Sequence, residues 1–289
     1  MRRFNDTVLR TLAYGDIFDY PLTAEEIKKY AIAPIQSIEL PPKQKYFFLP
    51  GREKLVQIRK QREKWSRQKL RLARRAAGWL KMIPWIKMTA VTGALAMNNA
   101  DKGDDLDLLI ITAKNRLWLT RLLAVLLIEV TGQRRRPGDK HFANKICLNM
   151  FWSQDALAVP LKERNLYTAH EVAQVKKIWD KDDVYQKFLA ANAWVEKYLP
   201  NAVTAKKFKG SNVQGFNNKN LILDWLEGAV KWGQWQYMKN KITREKISAA
   251  RLMFHPRDMS RPVLREYQKH LDKFLKDSYN STCLKRRKR

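Results

Sequence analysis

Two acidic residues, two positions apart, lead into an apolar run and could hold a metal ion. Asp105 and Asp107 alternate with Leu106 and Leu108. Because successive side chains on a strand point to opposite faces, both carboxylates would project from one face, about 7 Å apart, with the leucines in the core. Paired carboxylates bind hard divalent cations, Mg²⁺ or Mn²⁺, whose remaining positions accept waters and substrate phosphates. The pair indicates phosphoryl transfer from a nucleoside triphosphate (NTP), with Asp105 and Asp107 as metal ligands.

A glycine turn precedes this acid pair by about a dozen residues. Thr92, Gly93 and Ala94 follow an apolar run, and ten residues separate Ala94 from Asp105. Gly93 has no side chain, so backbone amides could approach the phosphates of a nucleotide. We therefore predict that Thr92, Gly93, Ala94 and Asp104 contact the nucleotide. The alternative is an acidic surface turn that enters an ordinary strand.

This arrangement resembles the DNA polymerase beta-like nucleotidyltransferase superfamily. In that family a Gly-Gly or Gly-Ser turn is followed by Asp-x-Asp on an apolar strand. The matching segments here are Val91-Thr92-Gly93-Ala94 and Asp104-Asp105-Leu106-Asp107-Leu108, within residues 86–152, roughly a quarter of the chain. The resemblance implies a small mixed sheet with helices. It also implies transfer of a nucleoside monophosphate to a hydroxyl group, with release of pyrophosphate.

Two positions depart from the family pattern. Ala94 lacks the hydroxyl that a serine offers to the phosphates, and Asn149 stands where the family usually has a third carboxylate. An amide oxygen can bind a metal, but an amide cannot serve as a general base. The predicted catalytic residues are Asp105, Asp107 and Asn149. Because Asn149 cannot act as a base, binding of a metal–nucleotide is better supported than catalytic turnover. Acids that could stand in for the third carboxylate are Asp139 and Asp155.

Hydrophobic periodicity predicts the elements that position these residues. A long basic helix is predicted over 53–80, strands over 87–92, 106–112 and 145–152, and an apolar helix over 115–131. This alternation indicates a mixed α+β fold of the nucleotidyltransferase type. Beyond residue 165 the chain is predicted to be helical.

The N-terminal segment predicts a small separate module. Two short helices within residues 5–31 and a strand over 45–49 resemble a winged-helix module. The proline-containing segment 32–44 leaves little room for a recognition helix, so a small packing module is an equal alternative. The predicted domains are a winged-helix-like module (1–51), a basic linker helix (52–85), a nucleotidyltransferase-like domain (86–164) and a helical domain with a basic tail (165–289).

The charge of the chain favours a polyanionic partner. The formal net charge is +29, and residues 52–75 hold eleven basic and two acidic side chains. Further basic clusters lie at 134–136 and 285–289. Clustered bases indicate contact with phosphates, and we favour RNA as the acceptor on charge alone; a small molecule or a protein side chain is not excluded. The alternative is a set of solvated surface charges. Three tryptophans near one helical face are interpreted as core residues rather than a base-stacking surface: Trp225, Trp232 and Trp235.

Other classes of protein are disfavoured by composition and motifs. Two well-separated cysteines give neither a disulfide framework nor a zinc site, which suggests a reducing, cytoplasmic setting. We expect no secretory signal and no membrane span, since the most apolar stretch, 117–128, is too short. No P-loop or dinucleotide fingerprint is present. The sequence leaves the oligomeric state open, and a catalytically degenerate scaffold that binds nucleic acid remains the alternative to an enzyme.

Overall fold

The structure is a computed structural model that describes most of the chain. The described residues are 5–34, 44–203, 220–240, 246–254 and 258–286, with side chains described as far as residue 273. Two predicted features therefore lie largely outside them: the segment 32–44 and the basic cluster at 285–289. A break between helices, which Gly210, Gly215 and the many lysines and asparagines predict over 200–217, also lies largely outside them.

Helices and strands alternate through the described part of the chain. The helices are α1 (Asp6–Asp16), α2 (Ala24–Lys29), α3 (Leu55–Leu80), α4 (Gly93–Ala96), α5 (Leu117–Val130), α6 (Leu166–Gln174), α7 (Val184–Ala191), α8 (Leu221–Met238) and α9 (Ser260–Arg286). The strands are β1 (Ile86–Val91), β2 (Leu106–Thr112), β3 (Ile146–Ser153), β4 (Lys176–Asp180), β5 (Lys246–Ile247) and β6 (Arg251–Met253). Short 3₁₀ helices cover Leu161–Glu163 and Ala193–Lys197.

The strands form one mixed sheet in the order β4-β1-β2-β3-β6-β5. Strands β2 and β3 are parallel, and the other neighbouring pairs are antiparallel. The mixed α+β class is confirmed, and β1, β2 and β3 agree with the predicted strands to within about one residue. The prediction that the chain is helical beyond residue 165 is wrong, because β4, β5 and β6 complete both edges of the sheet. These strands are short, and pairing with the sheet forms them rather than a hydrophobic pattern of their own.

Each face of the sheet packs against its own group of helices. Along β2, Leu108 and Ile110 point into a core with α3, α5 and the end of α8. Leu109 and Ile111 point to the opposite face, where α1, α2, α6, α7 and α9 pack. Asp107 shares this second face by strand alternation. The N-terminal helices therefore cover the same face of the sheet as the acid pair.

The N-terminal helices begin as the sequence predicts. Thr23 accepts a hydrogen bond from the backbone of Glu26, whose carboxylate accepts one from the Thr23 backbone, so a capping box starts α2. Arg59 of α3 is buried and pairs with Glu26 at 2.7 Å, which ties α2 to the long helix. The strand predicted over 45–49 is reduced, in the described residues, to one bridge between Leu22 and Phe47.

Helix α8 exposes the tryptophans that were predicted to be core residues. Trp225 is 71% exposed, Trp232 68% and Trp235 42%, so that prediction is wrong. The helix is held by its polar residues instead: Glu227 accepts hydrogen bonds from two backbone N–H groups in the first turn of α5. Asp224 pairs with Arg116 at 2.6 Å beside them. Polar contacts therefore select the face that α8 turns inward.

Among the described residues, no helix combines the length and apolar character that a membrane crossing requires. The apolar helix α5 instead packs one side into the core of the sheet, through residues such as Trp118, Ala124 and Ile128.

Candidate functional site

The acid pair lies at the start of β2, and β3 brings Asn149 against it. Leu106 and Leu108 are fully buried, as the alternation predicts. Strand β3 runs parallel to β2 with Cys147 opposite Asp107, and a shift of register follows. Asn149 is buried there, and its Nδ2 donates a hydrogen bond of 2.6 Å to Asp107 Oδ1. The structure thus places Asn149 beside the predicted acid pair.

Burial changes the protonation of this cluster. Burial and the nearby charge of Asp105 raise the pKa of Asp107 to about 6. Burial, reinforced by Asp107 and Asp105, also raises the pKa of the Cys147 thiol well above its usual range. Cys147 is therefore a neutral thiol here, and the ionisable oxygen ligands are those of the two aspartates.

The donor atoms suit a hard cation. Ligand atoms of Asp105, Asp107 and Cys147 lie within 4.8 Å of one another, a grouping that is not by itself evidence of a metal. A second observation is the Asn149 Oδ1 atom, which is buried and accepts no hydrogen bond. An orphaned buried oxygen is costly unless a cation or a donor completes it. Two carboxylates and one amide oxygen fit Mg²⁺ or Mn²⁺, whereas the protonated thiol does not.

Arg135 supplies a positive charge at the same place. Its guanidinium donates a hydrogen bond to Asp105 and lies 4.5 Å from the centre of the Phe142 ring. Its backbone N–H donates to Ile146 O at 2.9 Å, which fixes the loop before β3 against the sheet. A cation that binds Asp105 must share this carboxylate with Arg135 or displace it.

The glycine turn lies directly against Asp107. The Thr92 N–H donates to Asp107 O at 3.2 Å, and Gly93 has a φ of +58°. A Cβ at Gly93 would lie 3.7 Å from Asp107 Oδ2, so glycine keeps the space beside the carboxylate open. Thr92, Gly93 and Ala94 line a cavity together with Asp107. The carboxylate of Asp104 instead accepts from the backbone of its own loop at 2.7 Å.

A buried lysine holds the loop that precedes the acid pair. Lys69 of α3 is 1% exposed, and its ammonium donates to the carbonyls of Lys102 and Asp104 and to Asn144 Oδ1. Burial lowers the pKa of Lys69, and the neighbouring Asp104 and Asp105 oppose that change. In the sequence, Lys69 shares the helical spacing of the apolar residues Leu55, Trp65 and Leu72. A charged residue on an apolar helix face is the feature of the sequence that could have indicated this role.

The cavity beside Asp107 has a volume of about 320 Å³ and is bounded by α1, α6 and the glycine turn. Helix α6 contributes four residues at positions i, i+3, i+4 and i+7, which lie on one helical face. These four residues are Tyr167, His170, Glu171 and Gln174. None of these four residues was predicted from the sequence to belong to the site. The available signal was a polar face on a helix whose other face, including Ala169 and Val172, is apolar.

Two of these side chains have unusual electrostatic surroundings. Burial, reinforced by Asp107, raises the pKa of Glu171 to about 7. Burial lowers the pKa of His170 to about 3, so its imidazole is neutral. The Gln174 amide nitrogen lies 3.3 Å from His170 Nδ1, and as a donor it requires Nδ1 to accept, which places the ring proton on Nε2. That Nε2 atom is buried without a hydrogen-bond partner in the described structure.

The two acids considered as substitutes for a third carboxylate have other contacts. Asp139 pairs with Lys145 at 2.8 Å, and Asp155 accepts a hydrogen bond from the Ser153 hydroxyl. Neither residue lines the cavity that contains Asp107. Within the described residues, Glu171 is the further carboxylate that lines the same cavity as Asp107.

The basic clusters divide into paired and unpaired residues. Arg134 and Arg136 both pair with Glu129, and Arg52 pairs with Asp16 at 2.7 Å. In contrast, one face of α3 carries five exposed bases that form no ion pair with described residues. We call this set the α3 stripe: Lys60, Lys64, Arg67, Arg71 and Arg74. It extends about 21 Å along the helix at 1.5 Å per residue.

No protein-family model matches the sequence, and no curated protein matches it significantly. The functional conclusion therefore depends on the geometry of the site.

Proposed function

We propose that the protein is a metal-dependent nucleotidyltransferase that transfers a nucleoside monophosphate from an NTP to a hydroxyl acceptor. The observation that carries this proposal is the hydrogen bond from Asn149 to Asp107, which brings an amide with an unpartnered buried oxygen next to the acid pair. The glycine turn lies against the same Asp107 carboxylate. Hard oxygen ligands beside backbone that a phosphate can approach are what metal-assisted phosphoryl transfer requires.

In this proposal, the residues of the site have distinct tasks. Asp105, Asp107 and the Asn149 amide oxygen would hold Mg²⁺ or Mn²⁺, which when bound orients the triphosphate and neutralises its charge. Asn149 also orients the Asp107 carboxylate through its hydrogen bond. The Gly93 backbone leaves room for phosphate oxygens next to Asp107, as its missing side chain allows.

The test is a transfer assay. Purified protein is incubated with each labelled NTP, Mg²⁺ or Mn²⁺, and total cellular RNA, and incorporation of label is measured. We expect incorporation with at least one NTP, and a loss of more than about 100-fold in Asp107→Asn because a metal ligand is removed. Asp139→Asn, in a carboxylate that does not line the cavity, is the matched control and should retain activity.

A second candidate function is a degenerate transferase fold that acts as a nucleic-acid-binding scaffold. Two observations favour it. Asn149 stands where the resemblance implies a third carboxylate, and Arg135 already forms an ion pair with Asp105. The variant Asn149→Asp supplies a third carboxylate and distinguishes the two functions. If the protein is a transferase, this variant should bind Mg²⁺ more strongly in thermal melts; if it is a scaffold, the variant should not. A wild-type chain with no transfer and no stabilisation by Mg²⁺ and any of the four NTPs would support the scaffold.

We propose RNA as the nucleic-acid partner, with the α3 stripe as the contact surface. Its five side chains are exposed and unpaired with described residues, so each can release counterions when it meets a phosphate. Replacing all five by glutamine should weaken RNA binding. It should also reduce the slope of log K against log salt by about 3.5, at about 0.7 for each of the five single-strand contacts. Affinity that does not change with salt would contradict this surface.

A further inference from the structure

The cavity bounded by α1 and α6 has the features of a small-molecule site. Its volume of about 320 Å³ is at the lower end of the range for ligand pockets. Aromatic rings form much of its wall, including Tyr14, Phe18 and Tyr167. Such walls favour a planar ring, since stacking on aromatic side chains contributes to the binding of bases.

Two polar groups in the wall lack hydrogen-bond partners among the described residues. The Glu171 side chain is half-buried, forms no hydrogen bond or ion pair with those residues, and lines the cavity with Asp107. His170 is 4% exposed and stacks on Tyr14 with ring centres 3.8 Å apart, while its Nε2–H has no acceptor in the described structure. Buried polar groups without partners are rare in folded proteins, and a ligand is one way to satisfy them. The pair offers one acceptor for a hydroxyl and one donor for a ring nitrogen or carbonyl.

We propose that this cavity binds a ribonucleoside, with its base between the aromatic walls. A hydroxyl group of the ribose would donate a hydrogen bond to Glu171, and an acceptor atom of the base would receive one from His170 Nε2. A ribonucleoside combines a planar ring, acceptor atoms on the ring and hydroxyl groups in one compact molecule. The wall includes Gly93 and Asp107, so the ligand lies beside the proposed transfer site as the hydroxyl acceptor. The role of the ribonucleoside as hydroxyl acceptor rests on the proposed function, whereas its binding in the cavity does not. The ligand is either a free nucleoside or the terminal nucleoside of an RNA chain.

The experiment measures binding without catalysis. Metal-free protein in EDTA, with no NTP, is titrated calorimetrically with adenosine, guanosine, cytidine, uridine and ribose. We expect saturable binding of at least one nucleoside with a Kd of about 1 mM or lower, and much weaker binding of ribose. Glu171→Gln should weaken binding severalfold, because the amide oxygen that replaces the carboxylate is a weaker, uncharged acceptor. Glu196→Gln, an exposed acid outside the cavity, is the matched control.

Three results would overturn the proposal. They are no saturable binding of any nucleoside to the wild type, ribose binding as tightly as the nucleosides, or equal affinities of the Glu171→Gln and Glu196→Gln variants. His170→Phe gives a second readout, because it keeps an aromatic ring against Tyr14 and removes the Nε2–H donor, together with the Nδ1 acceptor that faces Gln174. It should also weaken binding.

A further titration distinguishes the two sources of the ligand. A dinucleoside monophosphate that ends in the preferred nucleoside should bind more tightly than that nucleoside if an RNA end is the natural occupant. If the nucleoside binds and the dinucleoside monophosphate does not, the natural ligand is a free nucleoside. Because neither metal nor NTP is present, these results stand whether or not the transfer assay succeeds.

Discussion

Replacing Asp107 by asparagine should stabilise the metal-free protein. Burial and Asp105 raise the pKa of this carboxyl from 3.8 to about 6. Each tenfold change in proton affinity corresponds to about 1.4 kcal/mol, so ionised Asp107 costs the folded state about 3 kcal/mol as an upper limit. Asparagine keeps an oxygen that accepts the hydrogen bond from Asn149 and carries no charge. At roughly 2 °C per kcal/mol for a chain of this length, we expect the melting temperature at pH 8 to rise by up to about 6 °C.

The size of this stabilisation depends on pH. The folded-state pKa of Asp107 lies above its unfolded value, so the stability that depends on the neutral carboxyl is fully present below about pH 4. It is lost as the pH rises from about 4 through 6. The difference in melting temperature between Asp107→Asn and the wild type should therefore be near zero at pH 4 and reach its maximum above pH 6.

Thermal melts in EDTA across this pH range test the reasoning, and Asp105→Asn is the comparison. Asp105 is paired with Arg135, so its replacement loses an ion pair and should leave the melting temperature unchanged or lower it. With Mg²⁺ and an NTP present, the wild type should gain stability and Asp107→Asn should not. A lower melting temperature for metal-free Asp107→Asn at pH 8 would refute the assignment of a burial cost to this residue.

Two further predictions concern the residues around the acid pair. Arg135→Ala frees Asp105 from its ion pair, so the Mg²⁺ concentration at half-maximal stabilisation should fall severalfold in thermal melts; an unchanged midpoint would show that Arg135 does not compete with the cation. Lys69→Met removes the donor to two loop carbonyls and to Asn144, and should lower the stability by about 3 kcal/mol in urea unfolding, as expected for buried charged hydrogen bonds. A loss smaller than that of an exposed control, Lys64→Met, would contradict this role.

The central strands could be predicted from the sequence because local pattern determines them. Apolar residues fill β1 and β2 almost continuously, as expected for strands buried on both faces. Alternation then fixed the side of the sheet on which Asp107 lies, and the spacing to β3 identified Asn149. These inferences need only the period of a strand and the order of the elements.

The cavity and the edge strands could not be predicted in the same way, since they depend on tertiary packing. Strand β6 has only three residues, and its pairing with β3 is a long-range contact. The role of Glu171 depends on α1 packing over α6, which no local pattern encodes. For Trp225 and Trp232, a local pattern gave a wrong prediction. Their helical spacing indicates a core face, but the polar contacts of Glu227 turn that face of α8 outward.

The two aspartates are alike in the sequence and become different through their neighbours. Asp105 forms an ion pair with a guanidinium that neutralises it, whereas Asp107 is half-buried, hydrogen-bonded to an amide and readily protonated. A divalent cation alone would have to displace Arg135 and compete with a proton, so its binding would be weak near pH 6. A triphosphate that arrived with the cation would offer Arg135 a new partner, since guanidinium groups bind phosphate oxygens strongly. In the proposed transferase, this arrangement would couple metal binding to nucleotide binding and leave the site closed by Arg135 when no nucleotide is present.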